Sequence, residues 1–357
     1  MEYNNISNHE MGDKLSRKLY VKQYDRMVKD LVNQIKNNEI ILNPEYQRNY
    51  VWDNNKASRL IESILLNIPI PVIYASEDSN SNWIIVDGLQ RLNSLTRFYN
   101  DEFKLTGLET LTEYNGKKYS TIGEKVRNII DRGELRVILL LNSSDYEIQY
   151  DIFLRLNTGS VKLTEQELRN CLFRGKLNDL VKKTLATDPI TIKLIGNNNK
   201  RMAVNEVILR YFAVSEYYDR SNEVINKYDG RIKNLINRFM AEYLNPDDSI
   251  LNTFKEKYLT NMNKIDAIYG SIAFRKLADV KYETNINSPL MECMMIAIEK
   301  YSLDALLLKK EEILIEHKLL LQDHEFVKYI DKATGNTNAT NNRIKKYNAM
   351  IKNIMEN

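Results

Sequence analysis

The chain has 357 residues, with 51 Lys plus Arg against 48 Asp plus Glu, and 43% of its residues are hydrophobic. That length buries a full core and suits two domains or one elongated one; a net charge of +3 excludes an overtly basic nucleic-acid scavenger but not a local basic face. The N-terminus MEYNNISNHEMGDK lacks the apolar core of a secretory signal, and no apolar run nears the ~20 residues that span a bilayer, so a cytoplasmic protein is expected.

Residues 1–18 are polar and unpatterned, which reads as a loose N-terminal segment. Met27, Val28, Leu31, Val32 and Ile35 at helical spacing predict a helix over Tyr24 to Asn37, followed by a short strand at Ile40-Ile41-Leu42. Asp53-Asn54-Asn55 offers N-caps for a helix carrying Ala57, Leu60, Ile61, Ile64 and Leu65, which Ile68-Pro69-Ile70-Pro71 breaks. Strands follow at Val72 to Tyr74 and Trp83 to Val86, then a helix over Leu89 to Tyr99 with Leu92, Leu95, Phe98 and Tyr99 on its apolar side. Past a loop with Gly107 and Gly116, Leu135 to Leu141 reads as a continuous buried strand.

The character changes after Leu163. Thr164 with Glu167 three residues on is a capping box opening a helix through Phe173. Helical patterns recur at Glu206–Tyr218, Asn222–Leu244, Ser249–Tyr269, Pro289–Tyr301, Asp304–Leu321 and Arg343–Met355, with strand candidates almost absent and no internal repeat. The expected organisation is α+β: an N-terminal α/β domain over 19–162 and an all-helical domain over 163–357. Cys171 and Cys293 sit in apolar helical contexts and are expected as buried free thiols in a reducing compartment.

Chemistry concentrates in a few short strings. Gln47-Arg48 follows Asn-Pro-Glu-Tyr, and Asp87-Gly88-Leu89-Gln90-Arg91 lies where a strand feeds a helix. A helix start presents unpaired N–H groups and the positive end of its dipole, an anion site. Gly88 supplies the hinge, Arg91 a planar fork of donors suited to phosphate, and Gln90 a group that donates and accepts. The plain alternative is that Asp87 caps the helix and both arginines form surface ion pairs. Asn157-Thr158-Gly159-Ser160, with Arg155 on the approach, is a turn of small donors that closes over a phosphate or merely links two domains. Lys200-Arg201 leads into a helix bearing Glu206 and Arg210, which by itself is a solvated basic run.

Several familiar sets are missing. His9, His317 and His324 are the only histidines, and no CxxC, HExxH or His-Asn-His cluster can be built from them. His317 and His324 are read as surface or groove residues one heptad apart on a single Glu/Lys-rich helix. No GxxxxGK[ST] or GxGxxG string is present.

NPEYQRNYVWDNNKASRLIESILLNIPIPVIY, IIVDGLQRLNSLTRFY, FLRLNTGSVKLTEQELRN and RMAVNEVILRYFAV, in that order, resemble the GmrSD-type N-terminal domain family over most of residues 20–215. The resemblance implies a ParB/sulfiredoxin-like domain whose Asp-Gly-Gln-Gln-Arg motif serves nucleotide binding and NTP hydrolysis, in restriction or phage-defence systems. Asp87, Gly88, Gln90 and Arg91 match that motif, Gln47 and Arg48 the upstream pair, and Arg155, Asn157 and Gly159 the loop. Leu89 stands where the family usually has Gln, and the histidine count leaves no HNH nuclease centre, so cutting DNA would need a partner.

The reading is therefore an NTPase module. Gln47 or Gln90 orients water; Arg48, Gly88, Arg91, Arg155, Asn157, Thr158 and Gly159 hold the nucleotide; and Asp87 holds Mg2+. DNA and a separate nuclease or defence effector are the expected macromolecular partners; Arg231–Arg238 and Arg343–Lys352 with Tyr347 read equally as helices that meet DNA phosphates or as solvated faces of amphipathic helices. The alternative is a nucleotide or DNA switch without turnover, or a scaffold.

Overall fold

Strands of the N-terminal unit alternate their side chains between two helical layers. In the computed structural model, which describes residues 18–42, 51–78, 80–156, 164–197, 199–332 and 334–356, the chain divides into two compact units between Leu172 and Phe173. The expected N-terminal segment and the 162/163 boundary lie outside the described residues. Among these residues no helix is long and apolar enough to cross a membrane.

The first unit runs β1 (Val21–Met27), α1 (Val28–Lys36), β2 (Ile40–Ile41), α2 (Asn54–Leu65), β3 (Ile73–Glu77), β4 (Trp83–Asp87), α3 (Leu89–Tyr99), α4 (Glu124–Arg132), β5 (Glu134–Leu140), α5 (Tyr146–Leu156) and α6 (Glu165–Leu172). The five strands form one mixed sheet in the order β1-β5-β3-β4-β2. β1–β5 and β3–β4 are antiparallel, β5–β3 and β4–β2 parallel.

Leu135, Val137 and Leu139 of β5, Ile73 and Ala75 of β3 and Ile85 of β4 point to one face, with the apolar sides of α1 to α4. Ile138, Leu140, Tyr74 and Val86 point to the other, against Tyr150 and Phe153 of α5 and Leu168 of α6. The period-two pattern thus places α3 on one side of β4 and α6 on the other.

The structure corrects the sequence reading in three places here. Residues 21–27 are a strand, so the helix expected from Tyr24 begins at Val28. β1 is an edge strand whose side chains are mostly exposed, which leaves no alternation to read. β5 is not continuously buried: Arg136 is exposed and forms a bidentate pair with Asp25, its cross-strand partner, at 2.8 Å. Phe153 to Leu156, taken as the approach to a turn, is the last part of α5.

The second unit runs α7 (Lys176–Asp179), a π-helical turn at Leu180–Leu185, α8 (Pro189–Leu194), α9 (Ala203–Tyr217), β6 (Tyr218–Asp219), β7 (Val224–Ile225), α10 (Ile232–Glu242), α11 (Asp248–Tyr269), β8 (Arg275–Ala278), β9 (Lys281–Ile286), α12 (Ser288–Ile298), α13 (Leu303–Leu308), α14 (Lys310–Leu320), α15 (His324–Asp331) and α16 (Thr337–Glu356). Pro289 to Ile298 is buried throughout, and α9, α11 and α16 pack around this axial helix. Cys171 and Cys293 are buried and in no disulfide, one in each unit.

Two hairpins, β6–β7 and β8–β9, interrupt what was expected to be an all-helical region. The helix expected from Asn222 starts ten residues later because the Asp219 carboxylate accepts from the Ser221 and Asn222 amides, and Gly230 (φ 78°) turns the chain. Lys309 splits Asp304–Leu321 into α13 and α14. His317 and His324 therefore lie on different helices, and His317 is fully buried rather than in a groove. Arg343 and Tyr347, expected on an exposed face, are also fully buried, so they do not form a basic face on α16.

Candidate nucleotide site at the β4–α3 junction

β4 ends at Asp87, and a single glycine turns the chain into α3. Gly88 holds φ at 97°, and a Cβ there would lie 2.9 Å from Ile73 Cγ1. Gly88 as N-cap brings no side chain, and among the described residues none accepts from the first-turn amides, which present a donor set to water or a ligand. Asp87 does not cap it either: its Oδ2 accepts from Arg91 Nη2 at 2.9 Å.

Arg91 curls back beneath this turn. Nη1 donates to the Pro71 carbonyl and Nη2 to the Val72 carbonyl at 3.2 Å, besides the Asp87 bond. Burial lowers its pKa while the Asp87 carboxylate opposes the shift. The ion pair of the plain alternative exists, but the guanidinium is buried and ties the entry of β3 to the end of β4. These three contacts make Arg91 foremost a strut.

Gln90 is half-buried one residue earlier, and its Oε1 accepts the Val51 amide at 3.2 Å. Trp52 packs into the core beside it, and Asp53 caps α2 through the Lys56 amide at 2.8 Å. Val51, three residues after Arg48 in the sequence, is therefore fastened to the same junction. Gln47 and Arg48 themselves lie outside the described residues, as do Asn157, Thr158 and Gly159. Arg155 is exposed on the last turn of α5. Leu89 packs partly buried against the core under α1 to α4.

The Thr164 capping box forms as expected: the Thr164 amide donates to Glu167 Oε2 at 2.6 Å, and the Glu167 amide to Thr164 Oγ1 at 3.2 Å. α6 packs near β4 and buries Arg169, which donates to Gln166 Oε1 and Glu165 Oε2, each at 3.2 Å, with its guanidinium 5.8 Å from the Tyr150 ring. Sequence reasoning did not single out Arg169, although it ends the Glu-Leu-Arg string. It also missed the Pro71 and Val72 carbonyls and the Val51 amide; backbone groups carry no residue signature. Of the more remote basic run, Arg210 pairs with Glu292 inside the second unit. Among the described residues, no group of three His, Cys, Asp or Glu side chains could hold a metal ion.

Residues 28–174 match the family described as GmrSD restriction endonuclease, N-terminal domain. They are a GmrSD N-terminal domain. The matched stretch takes in the elements around the junction, from α1 to α6. Comparison with curated proteins gave no match, and comparison with solved structures gave none.

Proposed function

We propose that the β4–α3 junction of this GmrSD domain, which we read as ParB/sulfiredoxin-like, binds a nucleoside triphosphate and hydrolyses it to serve a restriction or phage-defence system. The observation that carries this is the Val51 amide on Gln90 Oε1. Arg48 lies three residues before Val51 in the sequence. We assign the two Gln-Arg strings, far apart in sequence, to one site, and the Val51–Gln90 bond supports that reading.

The uncapped α3 amides receive phosphate oxygens, and Arg48 closes on them from the other side. Arg91 holds the turn in shape. Arg155, Asn157, Thr158 and Gly159 supply the covering loop. Gln90 spends an acceptor lone pair on Val51, which leaves Gln47 to orient the attacking water. Water adds to the terminal phosphorus as its bond to the β–γ bridging oxygen breaks, giving the nucleoside diphosphate and inorganic phosphate, with the water's proton passing to solvent. Such a transfer asks for positioning and charge neutralisation rather than a covalent nucleophile.

Magnesium fits Asp87. The carboxylate is 40% exposed, Arg91 takes Oδ2, and the other oxygen has no protein partner among the described residues. One carboxylate with substrate phosphates is an ordinary Mg2+ environment, and the ion would neutralise charge on the phosphates when bound. Bound nucleotide would then signal to DNA or to a partner effector.

Phosphate release from the four NTPs with magnesium tests the enzyme claim, comparing wild type with Gln90→Ala and Arg48→Ala. Arg91→Ala is a poor probe because it removes a strut. Release by wild type that falls at least about ten-fold in both variants supports turnover at this site; equal release in all three removes it. A second reading, binding without hydrolysis, is favoured by Leu89, whose apolar side chain packs inward where the family usually offers an amide. Calorimetric binding without phosphate release would select it.

A further inference from the structure

α14 has apolar side chains on both sides. At about 100° per residue, Ile313 and His317 share the face turned into the second unit, and both are fully buried. Ile315 and Leu319 lie on the opposite face, 61% and 53% exposed, and Leu308 at the end of α13 is 87% exposed. A soluble helix normally places charge there. Beside this ridge run Glu312 and Glu316, and beyond them a groove of about 310 Å³ between α14 and α16, continued by Leu320, Met350, Asn353 and Ile354. Ridge, acidic strip and groove thus lie side by side along one helix.

The strip is acidic in a chain whose overall charge is +3. Lys309 pairs with Glu312 at 3.2 Å, whereas Glu316 has no cation within salt-bridge distance among the described residues. We propose that this face docks an amphipathic helix of a partner protein, its apolar stripe on Ile315, Leu319 and the groove, its lysines or arginines on Glu312 and Glu316. A nucleic acid is disfavoured by the acidic rim. A second copy of this chain is disfavoured too, since an isologous pairing opposes the strip to itself. The proposal does not depend on nucleotide binding in the first unit.

The test is fluorescence anisotropy with two labelled peptides of about four helical turns that share one leucine stripe, one flanked by lysines and the other by glutamates. The full chain should bind the lysine peptide at least about ten-fold more tightly. The doubly substituted Glu312→Lys, Glu316→Lys chain should reverse that order. Ile315→Asp with Leu319→Asp should weaken the lysine peptide at least about ten-fold, with unchanged circular dichroism, because both positions are exposed. Equal binding of the two peptides, or an order that survives charge reversal, overturns the proposal. So does light scattering that finds a wild-type dimer which the Ile315→Asp, Leu319→Asp chain loses, since the face then belongs to a second copy.

Discussion

Arg91 and Arg343 both bury a guanidinium, one in each unit, and are neutralised in different ways. Arg343 is sealed: its Nη2 meets Glu292 at 2.6 Å, that carboxylate is 1% exposed, and Arg210 shares it. Arg343 Nη1 donates to the Thr334 carbonyl at 2.6 Å. Arg91 instead leans on two backbone carbonyls and on Asp87, a carboxylate that still reaches solvent beside an uncapped helix start. A closed ion cluster can serve only the fold. An open one at a strand-to-helix turn holds a shape and still presents charge, which is why chemistry is assigned to the first unit and scaffolding to the second.

The contrast breaks most visibly at Glu292. Glu292→Gln leaves two arginines facing each other in the interior and should cost about 3–5 kcal/mol in urea unfolding. A loss under about 1 kcal/mol would mean that the cluster is not sealed.

His317 sharpens the same point. Its Nδ1 lies 2.9 Å from the Tyr347 hydroxyl, which donates to Tyr269, and Nε2 is buried with no hydrogen-bond partner among the described residues. Around the ring stand Tyr269, Tyr282 and Tyr347; no charged side chain is among these neighbours. Burial pushes the imidazole down from 6.5 to about 4. The unfolded chain takes up a proton near 6.5 that the folded chain refuses until about 4. The contribution is therefore whole above pH 6.5 and drains away as pH falls, by about 2 kcal/mol between pH 7 and 5. His317→Phe should flatten that part of the stability profile; an unchanged profile would show that another group drives it.

Gly88→Ala forces a side chain into φ 97° and toward Ile73, and should cost about 1–2 kcal/mol while weakening nucleotide binding. Normal stability with unchanged binding would detach the turn from the site. The smallest expected stability effect is that of Asp87→Asn, at most about 1 kcal/mol because the carboxylate is partly solvated. Its effect on magnesium-dependent nucleotide affinity should be the larger of the two, and calorimetry beside thermal melts would compare them.

Much of the junction was legible. α2 and α3 carry their periodicity and their start signals, Asp53 and Gly88, in the sequence, and the Thr164 box forms as spelled. β1 was not legible, since an exposed edge strand has no buried face to alternate. The hairpins were hidden for a related reason: β6 and β7 have two residues each, and β8 and β9 are largely exposed or half-buried. Arg91 showed as an arginine suited to phosphate, but its burial did not, because its anchors are the carbonyls of Pro71 and Val72 some twenty residues upstream. The depth of Arg343 and Tyr347 was likewise invisible, as α16 reads equally well as a solvated basic helix.

The central claim is that a nucleoside triphosphate occupies the β4–α3 turn together with the segment leading to Val51. Hydrogen–deuterium exchange of the full chain, with and without each magnesium–NTP complex, tests it without any substitution. The account predicts that at least one nucleotide slows exchange both in peptides covering Asp87 to Leu92 and in those covering residues 43–51. Protection in neither, or in only one of the two, would contradict it.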